Sequence, residues 1–217
     1  MGNEQSSTKD HILDCGERLI ANKGFVGVGL AEILTSANVP KGSFYHYFSS
    51  KERFGEELLR RYMDDYLQRL DLLLMTEGSS ARSRLMAYWK HWNVTQCGIA
   101  DGDCAEVQTG SKCLIVKLSA EVADISEAMR LALRDGTDRV VQRIAVCIDH
   151  GRADGSVSAA LEPHDTALTL YELWLGASLL AKLRRDGSAF EHALRSTELL
   201  LGPLPASDGE TFSMGLQ

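Results

Sequence analysis

Lys41-Gly42-Ser43-Phe44-Tyr45-His46-Tyr47-Phe48-Ser49-Ser50-Lys51-Glu52 is the run on which the reading of this chain turns. Aromatic rings, two lysines and several hydroxyls crowd together, and the only acid stands at the end. Phe44 and Phe48 are four residues apart, so both can face inward from one helical turn. Ser43, Tyr45 and His46 are then free to donate hydrogen bonds to phosphate or to base edges. Ser49-x-x-Glu52 reads as a capping box opening a longer helix, and Lys51 falls in its first turn, where amide groups already favour a phosphate.

Upstream, Ser7 or Thr8 can cap a first helix with Ile12, Leu19 and Ile20 on one face, ended by Gly24. A second short helix, 30–37, is broken by Val39-Pro40, because the residue before proline avoids the helical region. With 42–48 as the third, residues 8–54 outline a three-helix head of helix-turn-helix type, whose last helix enters the major groove of DNA. Downstream, three- and four-residue apolar spacing recurs from Phe54 to Leu73, and cap-and-box signals stand at Asp124-x-x-Glu127 and Ser188-x-x-Glu191. Gly151 is the expected end of the helix that starts after Asp124, and Pro163 suits the first turn of the next one. No alternating strand pattern and no repeat is present. The expected fold is all-α, about nine helices: the head (8–54), a ligand-sensing and dimerisation domain (55–202), and a disordered tail (203–217).

Composition narrows the function. The 217 residues are 44% hydrophobic and 24% charged, as in an ordinary globular protein. With 23 Lys+Arg against 30 Asp+Glu the net charge is −7, which excludes a polybasic coat. Residues 1–55 are neutral, six cations against six acids, and the whole excess of acid lies beyond them. DNA affinity would therefore rest on a few placed contacts: Lys41, Gly42, Ser43, Tyr45, His46 and Lys51. The segment from Ala167 to Ala181 is too short and too polar to span a bilayer. The N-terminus carries no apolar export signal, so the five cysteines (Cys15, Cys97, Cys104, Cys113, Cys147) are expected to be reduced in a cytoplasmic protein. Spacings among Cys97, Cys104, Cys113 and His91 do not match a zinc site, and no metal or cofactor is expected. No nucleophile, base and phosphate-cradle constellation suggests an enzyme.

Residues 8–54 resemble the DNA-binding domain of TetR-type transcriptional repressors. The family segment GxFYxxFxxKE is matched by 42–52, while Gly29 stands where threonine commonly opens the second helix. The resemblance implies a homodimer whose two heads bind a palindromic double-stranded operator.

A second feature lies at Lys112-Cys113-Leu114-Ile115-Val116-Lys117. If Ser111 caps this segment, Cys113 sits in the first turn with Lys112 and Lys117 nearby. That surrounding favours a thiolate of depressed pKa, and a small buried core residue is the plainer alternative. The runs 113–130 and 170–182 resemble the branch of TetR-type repressors that senses reactive electrophiles. In that branch the cysteine at this position is the sensing thiol, and Lys182 is a candidate partner. The small-molecule effector would then be an electrophile or oxidant acting at Cys113, with Lys117 and Lys182 in support. Two alternatives stay open: a non-covalent organic ligand, or a redox or metal sensor using Cys97 and Cys104 around the loop 98–112. Tyr171, Leu175, Leu179, Leu194 and Leu201 form stripes on the last two helices that suit half of an intersubunit four-helix bundle, or an intramolecular core.

Overall fold

The computed structural model describes residues 2–97 and 113–203, and among these the chain is helical with no strand. Nine helices follow in order: α1 (Gly2–Lys23), α2 (Leu30–Ala37), α3 (Lys41–Tyr47), α4 (Lys51–Leu74), α5 (Ala81–Cys97), α6 (Leu114–Ile125), α7 (Glu127–Ala153), α8 (Pro163–Arg184) and α9 (Ser188–Leu200). The all-α architecture and helix number agree with the sequence reading. The expected tail, the loop 98–112 with Cys104, and the proposed cap Ser111 with Lys112 lie outside the described residues.

Local chemistry sets the helix ends. Asn38 takes a left-handed conformation, φ 51°, to end α2, and Pro40 caps α3 in extended backbone. Ser50, not Ser49, caps α4: its hydroxyl accepts the Arg53 N–H at 3.1 Å. Ser126, not Asp124, separates α6 from α7. It gives its N–H to the Val122 carbonyl and accepts the Met129 N–H on its hydroxyl. One serine thus closes one helix and opens the next. Two other helix ends also shift from the sequence reading. α1 begins before Ser7, and α7 runs through Gly151 to Ala153. Gly151 is spent on packing, since a Cβ there would lie 2.6 Å from Val157. At α9, Gly187 is the cap and Ser188 is bonded to Asp186. Glu162 caps α8 with Pro163 in its first turn, as that proline suggested.

Head and body share one apolar core. Phe44 and Phe48 are both buried and meet Phe54 of α4 at 5.5 and 5.1 Å between ring centres. α1 approaches α4 closely because residue 16 is glycine: a Cβ would come within 2.2 Å of the Phe54 ring. Across α4, the same continuous core takes in Leu58, Leu59 and Met63 and then the body residues Met129, Val140 and Ile144. α4 lies against α7 along its length, so it belongs to both halves. Any shift of α4 is felt by the head, because close-packed interiors transmit displacement.

Candidate functional site

Three places in the fold carry chemistry: the face of α3, a cavity beside Cys113, and the outer surface of α8 and α9.

On the head, Phe44 and Phe48 bury one side of α3, and Lys41, Gly42, Tyr45 and His46 are left exposed, with Ser43 half-buried. The Lys41 ammonium lies 5.7 Å above the Tyr45 ring, which orders both groups on that face. A Cβ at Gly42 would meet nothing within 4 Å. The glycine is therefore not required by the chain's own packing, and it leaves the backbone open to close approach from outside.

In the DNA-free chain Lys51 is turned into the head. Its ammonium donates to the Phe25 carbonyl at 2.7 Å and sits 4.4 Å over the Phe25 ring. Burial pushes its pKa below the ordinary lysine value, partly offset by Glu52 and Glu121. The local aromatic of the α1–α2 loop has turned this cation inward.

The cavity, about 210 Å³, opens between α1, α4, α5 and the start of α6. Tyr62 and Tyr66 of α4, Tyr88 and Trp92 of α5, and Cys113 form its inner wall, with Glu17, Arg69 and His91 also lining it. Trp92 is the hub: Tyr66, Tyr88 and Tyr171 of α8 meet it edge-on, 5.9 to 6.5 Å between centres. Its indole N–H is held by Ser178 at 2.9 Å. Tyr66 and Tyr88 bond to each other at 2.6 Å, and the Tyr62 hydroxyl accepts the Leu114 N–H at 3.3 Å. Burial drives these phenols well above their ordinary pKa, so all stay protonated. Glu17 brings a partly buried carboxyl from α1, also raised by burial, with Arg61 pulling the other way.

Cys113 is 3% exposed and is itself the N-cap of α6. Burial raises its pKa, against the sequence expectation of a depressed one. The groups working the other way are the Val116 and Ile115 amides, the Tyr62 hydroxyl and the Lys182 charge. The helix terminus favours the thiolate as expected, but loss of solvent outweighs it. Lys117 is exposed, and the lysine acting on the sulfur is Lys182 of α8. Among the described residues no group of three His, Cys, Asp or Glu could hold a metal. The side chain of Cys97 lies outside that set, as does Cys104.

α6 joins this cavity to the head. Two turns beyond Cys113, the Glu121 carboxylate accepts the backbone N–H groups of Phe25 and Val26. Gly24, with φ 81°, is the residue that lets the loop turn back onto Glu121. Nothing in the sequence singled out Glu121. The aromatics of the cavity carried a signal that passes for ordinary core: Tyr62 and Tyr66, then Tyr88 and Trp92, are both i, i+4 pairs.

On α8 and α9, Leu179, Leu183 and Leu199 are 53%, 71% and 81% exposed, and Leu175 and Leu194 are half-buried. Exposed leucines at this density give α8 and α9 an apolar outer surface. Tyr171 and Leu201 do not belong to it. Both are buried in the chain's own core, at 3% and 0% exposure. The α8 stripe is wider than one face, so its inner edge packs on α5 and only the outer edge is offered.

Residues 12–58 match the family model "Bacterial regulatory proteins, tetR family", and residues 81–197 match "Tetracyclin repressor-like, C-terminal domain". The chain belongs to the TetR family. Among its relatives, the HTH-type transcriptional repressor NemR of Escherichia coli (strain K12) is 42% identical over 190 residues, covering 88% of this chain and 92% of that protein. The transcriptional regulator AcuR of Cereibacter sphaeroides is 32% identical over 183 residues, 83% of this chain and 78% of that one. The crystal structure of E. coli NemR in its reduced form superposes with a TM-score of 0.83 at 41% identity, covering 93% of this chain and all of that one. As a TetR-family member the chain is a DNA-binding transcriptional regulator. No described helix is long and apolar enough to cross a membrane.

Proposed function

We propose that this protein is a homodimeric repressor that holds a palindromic operator through two α3 faces and lets go when a reactive electrophile or oxidant modifies Cys113. The observation that carries the reading is the double attachment of α6. Its first residue follows the only described thiol that lines the cavity, and its Glu121 grips the head backbone. The eight helical steps from Cys113 to Glu121 span about 12 Å, short enough to act as a rigid lever.

A group added to the Cys113 sulfur cannot stay where the thiol sits. The N-cap space is closed by the Ile115 and Val116 amides and Tyr62. Either α6 moves or the modified side chain swings into the cavity against α4. Both motions reach the head, the first through Glu121 and the Phe25–Val26 loop, the second through α4. Two heads on one palindrome must match its half-site spacing, so a small displacement lowers affinity. The exposed edge of α8 and α9, with Leu175, Leu179 and Leu194, supplies the dimer contact in this reading.

Reversible binding of a small organic molecule is the second reading. The raised thiol pKa and the aromatic walls favour it, because both suit a neutral guest. One experiment separates the two. Cys113→Ser should retain operator binding and lose release by N-ethylmaleimide, with mass spectrometry showing adduct at Cys113 in the parent protein. Normal release from the serine variant would remove the covalent reading.

A further inference from the structure

Among the described residues that line the cavity, Glu17 alone comes from α1, the first helix of the head. Its side chain is 30% exposed, and its ion pair with Arg61 of α4 is 3.7 Å long. That distance is beyond hydrogen-bond reach. The Arg61 guanidinium has a nearer partner in Asp14, at 2.7 Å. Among the described residues the Glu17 carboxyl accepts no hydrogen bond. Burial raises its pKa, and the charges of Arg61 and Arg69 pull it back toward the ionised form. Other polar groups of the wall are paired. Tyr66 and Tyr88 bond to each other, the Tyr62 hydroxyl takes the Leu114 N–H, and the Thr95 hydroxyl donates to the Trp92 carbonyl at 2.9 Å. A carboxyl drawn into a cavity wall with no donor to meet it is an exception that needs an explanation.

We infer that the Glu17 carboxylate is the receptor for the hydroxyl of a phenol, held reversibly against the aromatic wall with no bond to Cys113. This rests on the reading of the cavity as an effector site and is independent of thiol chemistry. The charges at the rim select the guest. An organic cation would stand beside Arg61 and Arg69, and a carboxylate would face Glu17, so a neutral donor is left. Tyr62, Tyr66, Tyr88 and Trp92 offer ring faces and edges to a flat aromatic body. A dry cavity of about 150 Å³ suffices for benzene. The volume here, about 210 Å³, therefore holds one ring with a small substituent.

The contact is a hydrogen bond and no more. A phenol, with a pKa of about 10, keeps its proton against a carboxylate and donates it in a short, charge-assisted bond. An aliphatic alcohol has the donor but no ring for the aromatic wall. A phenyl ether has the ring but no donor, and it leaves the carboxylate covered and unpaired. A site that depends on a guest's O–H rejects the analogue lacking it for that reason. Because Glu17 and Asp14 both lie on α1 and share Arg61, a guest on Glu17 touches the head without passing through α6.

The test compares phenol with anisole, its methyl ether, on the full chain, with Kd read by titration calorimetry. The parent protein should bind phenol about tenfold or more tightly than anisole. In Glu17→Leu phenol should lose at least about tenfold, while anisole stays within about threefold. Glu17→Gln keeps the shape and a neutral acceptor, and should lose about threefold for phenol alone. It serves as the test if the leucine variant does not fold. Equal affinity for the two compounds in the parent overturns the receptor role. So does a preference for phenol that survives unchanged in the variants, which would place the acceptor elsewhere. If the parent binds neither compound, the effector-site reading of the cavity fails first and the receptor with it. None of these outcomes depends on whether Cys113 can be alkylated.

Discussion

The carboxylate of Glu121 accepts the backbone N–H of Phe25 at 3.1 Å, tying the helix that starts at the cavity thiol to the loop between the first two helices of the head. The same carboxylate takes the Val26 N–H, and Lys51 pins the Phe25 carbonyl from the other side. The loop is thus held through its main chain as well as by the buried side chains of Phe25 and Val28.

Glu121→Gln offers one acceptor and one donor where two donors must be met. One backbone N–H is left unpaired, and stability should fall by about 1 kcal/mol because the carboxylate is half-exposed. Alkylation of Cys113 should continue at the parent rate. The ratio of operator Kd after and before alkylation should drop at least about fivefold, a loss of coupling and not of sensing. Anisotropy titrations on labelled operator measure it, and an unchanged ratio removes the lever.

The direction of the Cys113 shift sets a pH profile. Burial raises its pKa above the ordinary thiol value of about 8.5, so the thiolate fraction is small near neutrality. The alkylation rate should climb about tenfold per pH unit from 7 to 8.5 with no plateau. The linked effect on folding has a definite sign. A raised native pKa means the folded chain holds its proton more tightly. That contribution is complete below about pH 8.5 and is lost as pH rises through the native value. Denaturant melts at pH 7 and 9.5 should therefore differ less in Cys113→Ser than in the parent. A rate plateau near pH 7 would show a depressed pKa and contradict this environment.

Two lysines expected to serve the thiol part company. Lys182 acts on the sulfur and Lys117 is exposed. Lys182→Met should slow alkylation at pH 7.5 several-fold and still allow it to finish, because the helix amides and Tyr62 remain. Lys117→Met should leave the rate alone. Iodoacetamide time courses on both variants decide the assignment, and the reverse order would return Lys117 to the site.

How much of this was legible beforehand follows from what kind of signal each feature leaves. The head was readable because aromatic and hydroxyl residues stand at fixed spacing in 42–52 and Val39-Pro40 breaks the preceding helix. The body helices were readable from three- and four-residue periodicity. Their caps slipped by a residue or two where several cap-forming residues stand close together, as with Ser49 and Ser50. Burial was not readable. Tyr171 and Leu201 have the spacing of an outer stripe, yet tertiary packing turned both inward. For Cys113 the charges along the chain pointed to a low pKa, and desolvation by residues 20 to 70 positions away reversed it. Glu121 acts on a loop 95 residues earlier, a pairing no local pattern announces.

The outer edge of α8 gives the assembly prediction. Leu179 and Leu183 are four residues apart and exposed. Leu179→Arg should give a monomer by sedimentation with an unaltered melting curve for the isolated protomer. Leu201→Ala should instead cost about 2–5 kcal/mol of stability, as for any buried leucine, and leave the dimer intact. An intact dimer in Leu179→Arg moves the interface elsewhere.

The last prediction separates the two lysines of the head by what salt does to each. Lys41 is exposed beside Tyr45 on the open face of α3, and Lys51 is half-buried with its ammonium on the Phe25 carbonyl. A lysine that neutralises a phosphate releases a counterion, and its removal lowers the slope of log affinity against log salt by about one unit per contact. Lys41→Ala should do this, twice over in a dimer, and weaken operator and random DNA alike. Lys51→Ala should weaken binding by loosening the Phe25 loop, with the slope unchanged, and should lower the melting temperature as well. Titrations at four salt concentrations with operator and scrambled DNA read both quantities. A slope change of one unit or more in Lys51→Ala would mean that the ammonium leaves Phe25 for a phosphate in the complex. Lys51 would then be a DNA contact, and the clasp on Phe25 a feature of the free protein alone.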